Sequence, residues 1–213
     1  MAAHGRSTLR DLFDDSPTPH IAHPPRTHHR HFYVATDGSY RPQGGGLGAV
    51  IETCDGARVA RVALADVPPD NNVAEYRALH LGLDVLAARA PRSARVGVLV
   101  DHDELAANVN HAVLATDHPD WKPPKPISVP AAATHHWRGI RARIAGFDAL
   151  RAARIDSRTN PAHPLANSPG EYAHVNAESA RCVVPELPST DGPAGREEPQ
   201  IPPPSRAERR AGD

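Results

Sequence analysis

The sequence predicts an α/β domain: a five-stranded mixed sheet, three antiparallel strands followed by two parallel ones, with helices on both faces. Three observations carry this prediction. Residues 32–67 hold three alternating apolar segments separated by turn signals, the pattern of an antiparallel meander. Residues 71–90 follow with a helical period. Residues 96–100, Val-Gly-Val-Leu-Val, form a short and almost wholly apolar run, as expected of a central parallel strand covered on both faces.

Taken in order, residues 32–40 alternate and read as a first strand. Arg41 to Gly46 is a turn rich in Pro and Gly, and Leu47 to Thr53 is a second strand. Asp55-Gly56 is a hairpin signal. Ala57 to Val67 sets Val59, Arg61 and Ala63 against Arg58, Ala60 and Val62, which makes a third strand. Asn71 to Ala90 places Val73, Tyr76, Leu79, Leu83 and Leu86 on one helical stripe, and Pro91 ends it. After the apolar run, Asp103 to His111 reads as a short helix, and residues 113–132, with five prolines, as a loop. Thr134 to Gly146 is a longer helix with Trp137, Ile140 and Ile144 in period. Leu150 to Ile155 reads as a fifth strand, and Pro161 to Asn176 as a last helix broken near Pro164 or Ser168-Pro169-Gly170.

The flanks read differently. Residues 1–30 contain Pro17, Pro19, Pro24 and Pro25 among Arg, Asp and His, and are expected to be a disordered arm. His4, His20, His23, His28, His29 and His31 have no spacing that fixes a metal geometry, so a solvated arm is the reading adopted. Residues 179–213 are rich in Pro, Glu and Arg and are expected to be a disordered tail, which leaves 31–178 as the folded domain. Aromatic residues make up only 4% of the chain, so Ala, Val and Leu must fill its core.

A net charge of -1 excludes a globally polycationic nucleic-acid binder, so any such binding must come from a local patch. Cys54 lies in a strand-like segment and is expected to be a small buried residue. Cys182 falls in the tail, and no disulfide or Cys-based zinc site is expected. No segment approaches ~18 consecutive apolar residues, and the N-terminus has no apolar secretory core. The expectation is a cytoplasmic monomer with no membrane association and no protein partner evident.

Three carboxylates stand out. Asp37 follows an apolar run in Thr-Asp-Gly-Ser, Glu75 lies in the first turn of the 71–90 helix, and Asp101 follows the 96–100 run. Strands of one parallel pair end at the same sheet edge, so Asp37 and Asp101 fall side by side, and a helix start supplies Glu75. Clustered carboxylates repel unless cations sit among them, and hard oxygen ligands suit Mg²⁺ or Mn²⁺. Each residue has a plainer alternative. Asp37-Gly38 is a common turn dipeptide, Asn72 and Glu75 fit a capping box, and Asp101 fits the N-cap of the next helix. Capping does not require two strand ends in one sheet to carry Asp, which favours the joint metal-site reading.

The Thr-Asp-Gly-Ser turn, the Gly-Gly-Gly-Leu-Gly-Ala-Val run (44–50), Asn-Asn-x-Ala-Glu (71–75) and Val-Asp-x-Asp (100–103) occur in the order found in the ribonuclease H family, which residues 31–178 resemble. The resemblance implies the ribonuclease H-like fold and hydrolysis of the RNA strand of RNA–DNA hybrids with two divalent cations, Mg²⁺ or Mn²⁺. It makes Asp37, Glu75 and Asp101 metal-binding catalytic carboxylates, with Gly38 giving close backbone approach. Ser39, Asn71, Asn72 and Arg158 become nucleic-acid contacts. An Asn is suited to an RNA 2′-hydroxyl, which both donates and accepts.

The last family motif departs from the pattern. Asn160-Pro161-Ala162-His163-Pro164-Leu165-Ala166-Asn167 places His163 where relatives carry a fourth Asp. A neutral imidazole still ligates a metal and favours Mn²⁺ over Mg²⁺; the alternatives are a surface His163 with the fourth ligand missing or supplied by Asp156. The arginines at 138, 141, 143, 151, 154 and 158 and the Trp121-Lys122-Pro123-Pro124-Lys125 loop suggest phosphate contacts, or plain solvated surface. Two further readings stay open: a hybrid- or RNA-binding module with weakened or lost cleavage, and a related nuclease acting on another nucleic acid.

Overall fold

In the computed structural model the described residues are 7–16 and 30–179. They form α1 (Leu9–Asp15), β1 (Phe32–Ser39), β2 (Gly45–Thr53), β3 (Arg58–Asp66), α2 (Asn71–Ala87) and β4 (Arg95–Val100). Then follow α3 (Asp103–Asp117), a 3₁₀ turn (Ala131–Ala133), α4 (Thr134–Ile144), β5 (Ala149–Arg154), α5 (His163–Asn167) and α6 (Val175–Ser179). The strands make one sheet in the order β3-β2-β1-β4-β5. β1 pairs antiparallel with β2 and parallel with β4, and β4 pairs parallel with β5. The predicted meander and mixed sheet are therefore present.

Strand alternation sorts the core into two layers. Phe32 and Val34 of β1, with Ile51, Val96, Val98 and Leu150, face the α2 stripe and Trp137 and Ile140 of α4. Tyr33 and Ala35, with Val50, Leu99 and Ala153, face the other way and pack with Leu9, Leu165 and Val175. β1 is buried along its whole length, because it is central in the sheet and covered on both faces.

Several boundaries differ from the sequence reading. α3 runs on to Asp117, because Ala112 and the half-buried Val113 continue its apolar face past His111. The last helix is two short pieces. Pro164 lies in the first turn of α5 rather than breaking it, since the second position of a helix has no N–H bond to lose. Cys54 is exposed in the β2–β3 turn instead of buried; Cys182 lies outside the described residues. No helix among the described residues is long and apolar enough to cross a membrane.

The largest correction concerns the N-terminal arm. Residues 9–15 are a helix docked on the sheet. Thr8 and Asp11 form a reciprocal capping box, with Asp11 N–H donating to Thr8 Oγ1 at 3.2 Å and Thr8 N–H to the Asp11 carboxylate at 2.9 Å. Leu9 is 1% exposed, and its N–H donates to the buried Glu52 carboxylate at 2.9 Å. Phe13 meets Tyr33 edge-on at 5.5 Å, and the Arg30 guanidinium lies 5.4 Å from the Phe13 ring centre. One amphipathic turn, Leu9-Leu12-Phe13, thus covers the lower face of the sheet. The surrounding prolines hide so short a signal. Residues 1–6 and 17–29 of the expected arm, and 180–213 of the expected tail, lie outside the described residues.

Leu9→Ala is expected to lower stability by about 2–4 kcal/mol through the cavity it leaves. A urea titration would show this as a lower midpoint with an unchanged slope. A wild-type midpoint would mean that α1 does not hold this place.

Candidate metal centre

β1 and β4 run parallel, with Ala35 beside Leu99. Two residues further along, Asp37 and Asp101 bring their carboxyls together, with one oxygen of each within 4.8 Å. Asp37 does not end its strand as expected: it lies inside β1 opposite Gly48, and is 2% exposed. Asp101 follows the last residue of β4 and is half-buried.

Glu75 arrives from the opposite layer. α2 is capped by Asp70, whose side chain accepts from Val73 N–H at 2.8 Å. The capping-box alternative therefore fails, and Glu75 sits in the second turn, 2% exposed and turned toward the aspartates. Gly38 makes this possible. A Cβ there would fall 2.2 Å from the Ala74 carbonyl carbon and 2.5 Å from Glu75 N, so any side chain would push α2 away. The Gly38 backbone amide lowers the Glu75 carboxyl slightly, against the larger effect of burial. The glycine seats the helix against the strand. The capping alternative for Asp101 fails as well, since His102 caps α3, its Nδ1 accepting from Leu105 N–H at 3.1 Å.

His163 comes from the other face as the first residue of α5. Its Nδ1 lies 3.3 Å from Asp37 Oδ2, and its side chain is 48% exposed. One ligand atom from each of Asp37, Asp101 and His163 lies within 4.8 Å of the others. α5 reaches this position because β2 is bare beneath it: a Cβ at Gly48 would be 2.4 Å from the Ala162 carbonyl oxygen, and one at Gly46 2.4 Å from that of Ala166. Buried Asn160 ties the approach loop down. Its Nδ2 donates to the Thr36 carbonyl at 2.9 Å, and its Oδ1 accepts from Ala162 N–H at 3.0 Å. The imidazole is then flanked by Asn167, whose Nδ2 is 3.2 Å from Nδ1 and 3.1 Å from Nε2, while Arg41 Nη2 donates to Asn167 Oδ1 at 3.2 Å.

The electrostatics are strained. Burial, then the charges of Asp101 and Asp37, push the Glu75 carboxyl up to about 9. Burial and the adjoining Asp101 hold Asp37 well above the ordinary carboxylate range. Asp37 Oδ2 and Glu75 Oε2 are buried without a hydrogen-bond donor. Buried acceptors are normally satisfied, so two orphaned carboxylate oxygens in one cluster fit a hard divalent cation. Asp37, Glu75, Asp101 and His163 are the residues that could hold one.

The other expected site residues divide. Ser39 is a correction: its hydroxyl is buried, donating to the Ala166 carbonyl at 2.6 Å and accepting from Gly46 N–H at 3.0 Å, so it joins β1 to α5 instead of facing a ligand. Asn71 and Asn72 are exposed at the start of α2, and Asn72 Oδ1 lies 3.1 Å from His102 Nε2. Arg158 is exposed in the β5–α5 connection. Asp156 is exposed and its Oδ1 accepts from Arg158 N–H at 2.8 Å, outside the ligand group. The arginines of 138–158 do not share one face: Arg143 pairs with Asp84, Arg154 with Asp103, and Arg151 packs near Arg30. Sequence reasoning missed the supporting roles of His102, Asn160, Asn167 and Arg41. For Asn160 the Asn-Pro dipeptide was a usable turn signal.

The raised carboxyls make the metal-free protein sensitive to pH. Each such group stabilises the fold below its unfolded value, 4.5 for Glu75, and that contribution is lost as pH rises through the folded value of about 9. Thermal unfolding of chelator-treated protein is therefore expected to occur at lower temperature as pH rises from about 5 to 9. Glu75→Gln should flatten this slope; an unchanged slope would remove Glu75 from the repelling cluster.

No family model and no curated protein matches the sequence. Solved structures do. RNase H1 from the halophilic archaeon Halobacterium salinarum superposes with a TM-score of 0.50 at 21% identity, over 66% of this chain and 98% of its own. The N-terminal RNase H domain of a Mycobacterium tuberculosis protein gives 0.49 at 24% identity, over 63% and 95%. An RNase H1 from a compost metagenome, solved with an RNA/DNA hybrid, gives 0.48 at 19% identity, over 70% and 99%. With its strand order, its mixed sheet and the archaeal superposition, this chain has the ribonuclease H-like fold.

Proposed function

We propose that this protein is a metal-dependent endonuclease that hydrolyses the RNA strand of RNA–DNA hybrids. The observation that carries this reading is the buried carboxylate cluster with two orphaned oxygens, at the sheet edge where β1 and β4 meet α2. The fold shared with an archaeal RNase H1 supports the same reading. Asp37, Glu75, Asp101 and His163 would hold two divalent cations. When bound, such ions supply Lewis-acid activation of water and stabilisation of the leaving oxygen.

The chain's own groups do the rest. Asp37 and Asp101 contribute adjoining negative charge on one side, and Glu75 closes the cluster from α2. His163, half-exposed on α5, is aimed by Asn167 and Arg41. Asn72 Oδ1 accepts from His102 Nε2, which leaves the Asn72 amide N–H groups to donate to a 2′-hydroxyl, while Asn71 is exposed beside it. Arg158, exposed in the β5–α5 connection, would contact a phosphate.

His163 favours a second reading. An imidazole in place of a carboxylate removes one negative charge, so a hybrid-binding module with weakened cleavage is the alternative. Cleavage of labelled hybrid, duplex RNA and duplex DNA, each with Mg²⁺ and Mn²⁺, separates these readings and a nuclease of other substrate. Hybrid-only cleavage is expected. Binding without cleavage would favour the weakened module, and cleavage of either duplex would reassign the substrate.

Asp37→Asn is expected to reduce hybrid cleavage to background in a folded protein, because the amide keeps the shape and loses the charge facing the cations. Near-wild-type turnover would remove Asp37 from the centre. Wild type should prefer Mn²⁺, and His163→Asp should move the preference toward Mg²⁺, which demands oxygen ligands. If His163→Asp and His163→Ala leave the metal preference alike and unchanged, His163 is not a ligand.

A further inference from the structure

Away from the carboxylate centre, the seam between α2 and α4 carries a second group of metal-ligating side chains. His80 of α2 and His136 of α4 bring their Nδ1 atoms to 3.2 Å. Two nitrogens on one tetrahedral Zn²⁺ stand about 3.3–3.4 Å apart, given bonds of roughly 2.0–2.1 Å. The other nitrogen of His80, Nε2, lies 3.6 Å from Asp84 Oδ2. Asp84 is itself fixed, its Oδ1 accepting from Arg143 Nε at 2.7 Å. A carboxylate behind the second ring nitrogen is the arrangement that orients histidines on metals. A third imidazole, His135, is exposed on the same seam, its ring centre 5.6 Å from that of His136 and 6.4 Å from that of His80.

The surroundings suit an added dication. Arg77 is paired with Asp66 at 2.8 Å, and Arg143 with Asp84, so each nearby guanidinium has a carboxylate on it. Burial lowers both imidazoles below the ordinary histidine range, His136 to about 4, which keeps their ligating lone pairs unprotonated at neutral pH. Gly139 makes room: a Cβ there would sit 1.9 Å from His80 Nε2.

We propose that His80 and His136, with Asp84 orienting His80, form a site for one borderline divalent transition ion of the Zn²⁺ class, separate from the carboxylate centre. Water would complete the coordination, since His135 stands farther off, its ring centre 6.4 Å from that of His80. Imidazole nitrogens select such ions over Mg²⁺, so this site and the oxygen-rich centre differ in the ions they take. Occupancy ties α4 to α2, the helix that carries Glu75.

The test is calorimetric titration of the chelator-treated full chain with Zn²⁺ in excess Mg²⁺. The histidines of residues 1–31 are common to every variant and cancel in the differences. His80→Asn and His136→Asn, each checked for folding by circular dichroism, should each bind one Zn²⁺ fewer than wild type. Asp101→Asn should keep that ion, and Asp84→Asn should bind it at least about tenfold more weakly. A folded His80→Asn or His136→Asn that matches wild type in number and affinity would overturn the proposal. Imidazole ¹⁵N resonances of the wild-type protein give a variant-free reading. Zn²⁺ should shift the Nδ1 signals of both His80 and His136, and unmoved signals would equally overturn the site.

Discussion

The molecule turns on the contact between Gly38 and the first turns of α2. A Cβ at residue 38 would lie 2.2 Å from the α2 backbone, so helix and strand can meet there only because no side chain intervenes. That approach sets Glu75 beside Asp37 and Asp101, and it does so inside the protein, where water does not shield them. Repulsion among these groups is the cost of the arrangement, seen in the upward push on the Asp37 and Glu75 carboxyls and in a Glu75 Oε2 that no hydrogen-bond donor reaches. A buried carboxylate cluster with raised carboxyls matches hard-cation chemistry and marks a candidate functional site.

The opposite layer repeats the same device. Gly46 and Gly48 leave β2 bare, α5 settles onto it, and Asn160 anchors the chain to the β1 backbone one residue before Asp37. His163 is thereby delivered to the cluster from the face opposite Glu75. Two helices on two faces converge on one sheet edge, and the glycines that permit each approach belong to the motifs that first suggested a site. The His80–His136 pair further along α2 is built differently: two imidazoles backed by a fixed aspartate and neutralised arginines.

Much of this was legible in the sequence where periodicity or local chemistry was strong. Alternation along β1 to β3 and the α2 stripe predicted the sheet and its main helix, because burial of a face writes itself into residue order. The identity of the candidate carboxylates was legible for the same reason, since Asp37 and Asp101 each follow an apolar run. What could not be read was tertiary. Ser39 looked available, yet its hydroxyl serves Ala166 and Gly46 across 127 and 7 positions of sequence. The basic run of 138–158 suggested phosphate contacts or plain solvated surface; in the fold Arg143 pairs with Asp84 and Arg154 with Asp103. α1 was lost because a seven-residue helix has too short a period to stand out among prolines.

The most direct test of the central claim, that the buried carboxylates form a cation site, is thermal unfolding of the chelator-treated protein at pH 8 against increasing Mn²⁺ and Mg²⁺. A ligand bound only by the folded state raises the midpoint with concentration. Such a rise is expected for the wild type and should be lost in Asp101→Asn. A wild-type midpoint that does not move with either ion, or one that rises equally in Asp101→Asn, would contradict it.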